Sequence, residues 1–158
     1  MYFVEKADDG FNEVFTRFAQ IHWHDSKLLD LHLLKDAENQ KYDLRLDLEL
    51  VVSPNLGSVE WSKESIIFRK CRIIQLDLDL LGVLMCGGDI GSAVFYKSAT
   101  LFEKDGRNKI HQFDLPQEFN PLESCFGVQI EMIHPGGEIV VFARDFDIVP
   151  RYQTQNLI

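Results

Sequence analysis

The run Lys41 to Val52, KYDLRLDLELVV, sets Tyr42, Leu44, Leu46, Leu48 and Leu50 in alternation with Asp43, Arg45, Asp47, Glu49 and Val51. Side chains change sides at each step along a strand, so this pattern describes an antiparallel strand with one dry and one wet face. A helix fails the same test. At 3.6-residue spacing Asp43, Asp47 and Leu50 share a side, and no clean apolar stripe forms.

The flanking segments supply what such a strand needs to pack against. Phe11, Val14, Phe15 and Phe18 recur at i, i+3, i+4 and i+7, which predicts a short amphipathic helix over Gly10 to Gln20 and no other substantial helix. Asp8, Asp9 and Asn12 are candidate caps. Ser26 to Lys35 reads as the first long strand, with Leu29, Leu31 and Leu33 opposed to Asp30 and His32 and with Leu28 and Leu34 on the other side. Ala37 to Gln40 then turns it into the Lys41 strand. Ser53, Pro54, Asn55, Gly57 and Ser58 read as a loop, and Val59 to Ser62 as a short strand or part of that loop.

Ser65 to Lys70 and Ile73 to Leu81 carry strand-like residues. A kink near Arg69 to Arg72 would change the buried parity between them; without one, even positions continue inward and Cys71 and Ile73 face outward. Gly82, Gly87, Gly88 and Gly91 suggest a loose connection whose GGDIG has neither dinucleotide-loop nor P-loop spacing. Ser92 to Glu103 reads as a strand, Lys104 to Asn108 as a turn, and the stretch with Pro116 and Pro121 as an irregular connection. In the last part Val128, Ile130 and Met132 alternate with Gln129 and Glu131, Pro135 to Gly137 permit reversal, and Ile139 to Val149 returns, before a polar tail. The expected fold is a single β-rich domain over residues 1–158, mainly β, built as an antiparallel curved sheet, open barrel or sandwich of about 6–7 strands with one N-terminal helix.

Charge narrows the partners. Sixteen basic against 25 acidic residues leave a net charge of −9, which repels a phosphate backbone and suits capture of a basic protein. The plainer consequence of such a charge is solubility. No apolar run is long enough to span a bilayer, and the N-terminus lacks a secretory pattern, so a cytoplasmic location is expected. Cys71, Cys86 and Cys125 cannot all pair internally and are expected as reduced, small apolar side chains.

Two clusters are candidates for chemistry. His22 and His24 would point one way at the start of a strand and could hold zinc, with Asp25 as a third ligand, in a metal-dependent enzyme or small-ligand binder; the structural alternative is a tight strand start with surface histidines. Asp43, Asp47 and Glu49 beside Asp77 and Asp79 would form an acidic binding face, against the plainer reading of a solvated sheet. His111 and His134 have no metal-like neighbours, and His134 beside the turn should be exposed. No G-x-S-x-G, C-x-x-C or evident Cys–His pair is present, so no catalytic residues and no cofactors are assigned.

HWHDSKLLDLHL, YDLRLDLEL, IIFRKCRIIQLDLDL and CFGVQIEMI together resemble the mostly-β immunity proteins of bacterial polymorphic toxin systems. The matching positions are Trp23, His24 and Asp25, then Phe68, Ile74, Leu76 and Leu78, then Phe126 and Gly127, within Ile21 to Val149. The resemblance implies a non-enzymatic intracellular protein that occludes a basic toxin by surface complementarity. It supplies no catalytic residues.

Overall fold

The computed structural model describes residues 11–36, 41–55, 58–96 and 125–150. Helix α1 (Asn12–Ala19) is followed by β1 (Lys27–Asp36), β2 (Lys41–Asn55), β3 (Ser58–Cys71), β4 (Ile73–Leu78), helix α2 (Leu80–Cys86), β5 (Gly88–Tyr96), β6 (Phe126–His134), β7 (Gly137–Ala143) and β8 (Asp145–Pro150). The caps proposed at Asp8 and Asp9, the turn at 37–40, the strand beyond Tyr96, the turn at 104–108, His111, the 116–121 connection and the tail lie outside the described residues.

All pairings are antiparallel, in one unclosed sheet of order β4-β7-β6-β5-β1-β2-β3-β8. The described residues are therefore mainly β as expected, with two helices where one was expected and eight strands where six or seven were expected. One reason is that Ile139 to Val149 is not one strand: it bends at Arg144 into β7 and β8. β3 bends likewise at Arg72 into β4. Across the two bends Arg72 N–H donates to Phe142 O at 2.7 Å and Arg144 N–H to Arg69 O at 3.1 Å. Bends of this kind let a strand leave one packed layer for the other. The sheet accordingly has two four-strand halves, β4-β7-β6-β5 and β1-β2-β3-β8, and among the described residues the strand pairing that joins them is the short β1–β5 one, Lys27 with Asp89 and Leu28 with Gly88.

One core lies between them. Leu44, Leu46, Leu48 and Leu50 of β2, Ile66 and Phe68 of β3 and Phe146 of β8 meet Phe95, Phe126, Val128, Ile130 and Val141 from the other half. Helix α1 lies over this core as its apolar periodicity requires, with Phe18 fully buried 5.2 Å from both Trp23 and Phe95. Asn12 does not cap it; the N-cap is Phe11, with no side-chain hydrogen bond. Arg17 ties the helix to β8, donating to Phe146 O at 2.5 Å and to Asp145 Oδ1 at 2.6 Å.

Local irregularities moved several residues from their expected sides. Pairing shifts between Leu28 and Asp30, so Leu28, read as outward, is buried, and Leu31 also packs on the core. A second shift, between Tyr42 and Leu44, leaves Tyr42 44% exposed. Near Arg69 to Arg72 the kink does occur. Lys70 takes φ +52, Cys71 turns toward the core, Ile73 is buried, Ile74 and Leu78 pack partly buried against the core, and Leu76, expected inward, is exposed. Ser53, Pro54 and Asn55 are not a loop: they pair with Glu60, Val59 and Ser58, and Val59 to Ser62 belongs to β3.

The glycine-bearing connection is also more ordered than expected. Asp79 caps α2, its carboxylate accepting from Gly82 N–H at 3.1 Å, and Val83 fills a fully buried position. The chain then enters β5 at Gly88, where a Cβ would press on the Met132 and Val83 side chains.

Candidate functional site

The five carboxylates expected on one face are divided by the fold. Asp43, Asp47 and Glu49 belong to β2, Asp77 to the edge strand β4 in the other half, and Asp79 to the α2 cap. Asp43 accepts from Arg69 Nη1 at 3.1 Å, and Arg69 Nε donates to Asp147 at 2.9 Å. These two carboxylates, Asp147 foremost, raise the Arg69 pKa above its ordinary value.

Asp47 is 6% exposed and not the wetted residue that alternation implied. Its Oδ1 accepts from Arg45 Nε at 2.8 Å and from Ser65 Oγ at 2.7 Å, and His32 Nε2 lies 3.4 Å from Oδ2. Cross-strand neighbours assemble this network: Asp30 faces Asp47 and His32 faces Arg45 between β1 and β2, while Asp47 faces Ser65 between β2 and β3. Asp30, His32 and Asp47 are the only group among the described residues whose three ligand atoms converge as a metal site requires. Arg45 already satisfies Asp47 and places a fixed positive charge beside it, which disfavours a cation there.

His22, His24 and Asp25 do not form such a group. They lie in the turn before β1, where His24 Nδ1 is 2.7 Å from Gly91 O and Asp25 takes φ +67. His22 and Asp25 instead line a cleft of about 470 Å³ with Lys27, Val51, Trp61, Asp89 and Ile133. Sequence reasoning missed Trp61 and Asp89, because Trp61 reaches the cleft only through the β2–β3 pairing and Asp89 only through the β1–β5 pairing. His134 is exposed as expected.

The charges are distributed unequally. Residues 73–96 and 125–143, which contain the β4-β7-β6-β5 half and α2, carry Asp77, Asp79, Asp89, Glu131 and Glu138 and no Lys or Arg. The strands of the other half contain Lys27, Lys35, Lys41, Arg45, Lys63, Arg69 and Lys70. Asp77, Asp79 and Asp89 make no ion pair among the described residues. Beside these acids α2 turns Leu80, Leu81, Leu84 and Met85 outward, with Met85 81% exposed, and Ile133 is exposed on β6. Several large apolar side chains exposed together and rimmed by charge are the composition of a binding surface.

The thiols carry no sign of nucleophilic use. Burial pushes the Cys71 thiol up to about 12, and burial raises Cys125 as well, against the opposing pull of Arg72 and Arg144. Cys86, at the end of α2, is exposed. Among the described residues no helix is long and apolar enough to cross a membrane. No protein-family model, curated protein or solved structure matches the chain.

Proposed function

We propose that this protein is a non-enzymatic binding module for a basic protein partner, engaged by the α2-bearing half of the sheet. The observation that carries this reading is the pairing, among the described residues of one half, of outward Leu80, Leu81, Leu84 and Met85 with carboxylates and no Lys or Arg. Apolar anchors supply affinity once dehydrated, and like-signed charge around them steers a cationic partner and repels an acidic one. A second copy of this chain docked by the same face would bring carboxylate against carboxylate, so the complementary occupant is a different, basic surface. The resemblance to immunity proteins gives the reading its specific form: a cytoplasmic protein that neutralises a basic toxin by covering it.

An amphipathic helical peptide of Leu and Lys and its Leu and Glu counterpart, presented to the immobilised protein, test the reading. Only the Lys peptide should bind, its affinity falling as salt rises from about 50 to 300 mM. Asp77→Asn should weaken it about two- to fivefold. Equal binding of both peptides, or indifference to salt and to Asp77→Asn, would contradict the proposal.

A further inference from the structure

We infer that the cleft between Asp25, Lys27, Trp61 and Asp89 receives a single alkylammonium or guanidinium group, the end of a lysine or arginine side chain on the basic partner. The inference rests on the proposed function and names one contact within it. The cleft sits at the seam where the two halves pair. Lys27 of β1 faces Asp89 of β5, and Trp61 of β3 faces Val51 of β2. Asp25 reaches it from the preceding turn, whose backbone is pinned to β5: Asp25 N–H donates to Ile90 O at 3.0 Å and Ile90 N–H to Ser26 O at 2.9 Å.

The chemistry follows from what these side chains prefer. Trp61 is 41% exposed, in contrast to Trp23, which is buried in the core. Its ring already attracts a cation, with Lys27 Nζ 5.3 Å from the centroid. An aromatic face of this kind binds ammonium and guanidinium groups through its negative quadrupole. Asp25 and Asp89 add two carboxylates to the same walls, against the one ammonium of Lys27. An anion would be repelled by that balance, and Asp25 and Asp89 belong to no convergent metal-ligand group among the described residues. A volume of about 470 Å³ holds a lysine or arginine head with its hydration. Lys27 thus occupies the place an incoming cation would take, and it competes with that cation both for the ring and for the carboxylates.

This competition gives the test its sign. The probe is Nα-acetyl-arginine methylamide, titrated into the whole protein and followed by Trp61 fluorescence and by the indole N–H resonance; Trp23, being buried, supplies the internal reference. Saturable binding is expected. Lys27→Gln should tighten it about two- to fivefold, whereas Asp25→Asn and Asp89→Asn should each weaken it by a similar factor. Asparagine tolerates the left-handed backbone at position 25, so Asp25→Asn removes the charge without straining the turn. Thermal melting of each variant establishes that it is folded.

Absence of a saturable response in both the wild type and Lys27→Gln would overturn the inference, as would weaker binding by Lys27→Gln. Equal binding of the neutral citrulline analogue, or of a neutral disaccharide, would overturn it too, because the site would then not be reading charge. If the arginine probe fails while the Leu and Lys peptide still binds in an Asp77-dependent way, the cleft inference falls alone. If both fail, the proposed function falls with it.

Discussion

Asp47 stands on the outward side of β2 yet is nearly buried, and its two strongest partners, Arg45 and Ser65, leave it no need of water. A buried carboxylate without those donors would be costly, so the network holds three strands in register as much as it holds the charge. Asp47→Ala should lower stability by about 1–3 kcal/mol, read as a shift in the urea midpoint. Cys71 makes a second residue-level prediction. Its folded pKa of about 12 lies above the ordinary 9.0, so between these values the unfolded chain releases the proton and the folded chain keeps it. Stability from this group is intact below pH 9 and is lost as pH climbs toward 12. The wild type should therefore lose more stability than Cys71→Ala between about pH 8 and 10.5. At neutral pH a thiol reagent should label Cys86 and spare Cys71 and Cys125. The inward leucines of β2 were legible because a period of two fixes a side without knowledge of neighbours. Asp47 was not legible, since its burial depends on His32 of β1 and Ser65 of β3 meeting it across two strand pairings, with Arg45 beside it on β2.

Helix α2 is the element on which the functional reading turns, and its seven residues are held by few devices. Asp79 satisfies a free N–H of the first turn, and Val83 anchors the inner side in the core. Asp79→Ala should cost about 1 kcal/mol, while Leu81→Ser with Met85→Ser, which alters only exposed positions, should leave the melting temperature nearly unchanged and reduce binding of the Leu and Lys peptide. At the tip of the β6–β7 hairpin, Gly137 takes φ +102, and a Cβ there would overlap the Asp77 carbonyl oxygen and Leu78 Cα. Gly137→Ala should consequently destabilise the protein by well over about 1 kcal/mol, visible in the same urea titration. Sequence reasoning saw this hairpin, whose strands alternate and whose turn residues are distinctive. It did not see α2, because seven residues with an outward apolar side carry no amphipathic contrast, and Gly82 and Gly87 read as interruptions.

At the scale of the whole molecule, two bends and one short pairing allow a single sheet to enclose a core. Arg72 and Arg144 mark the bends, and the Lys27–Asp89 and Leu28–Gly88 pairs make the seam. The mainly β class followed from the alternation along the chain, whereas the strand count and the partition into halves depended on where a continuous pattern bends, which alternation alone does not encode. The partition has a consequence for charge: among the described residues, all seven basic residues of the strands fall in one half, and the other presents carboxylates around α2. Backbone amide shifts of the ¹⁵N-labelled protein, followed while the Leu and Lys peptide is added, test this division most directly. Perturbations are predicted at Asp77, Leu81, Leu84, Met85 and Glu131, with Asp43, Arg69 and Asp147 unmoved. A response centred on β3 and β8, or spread evenly over both halves, would contradict the account.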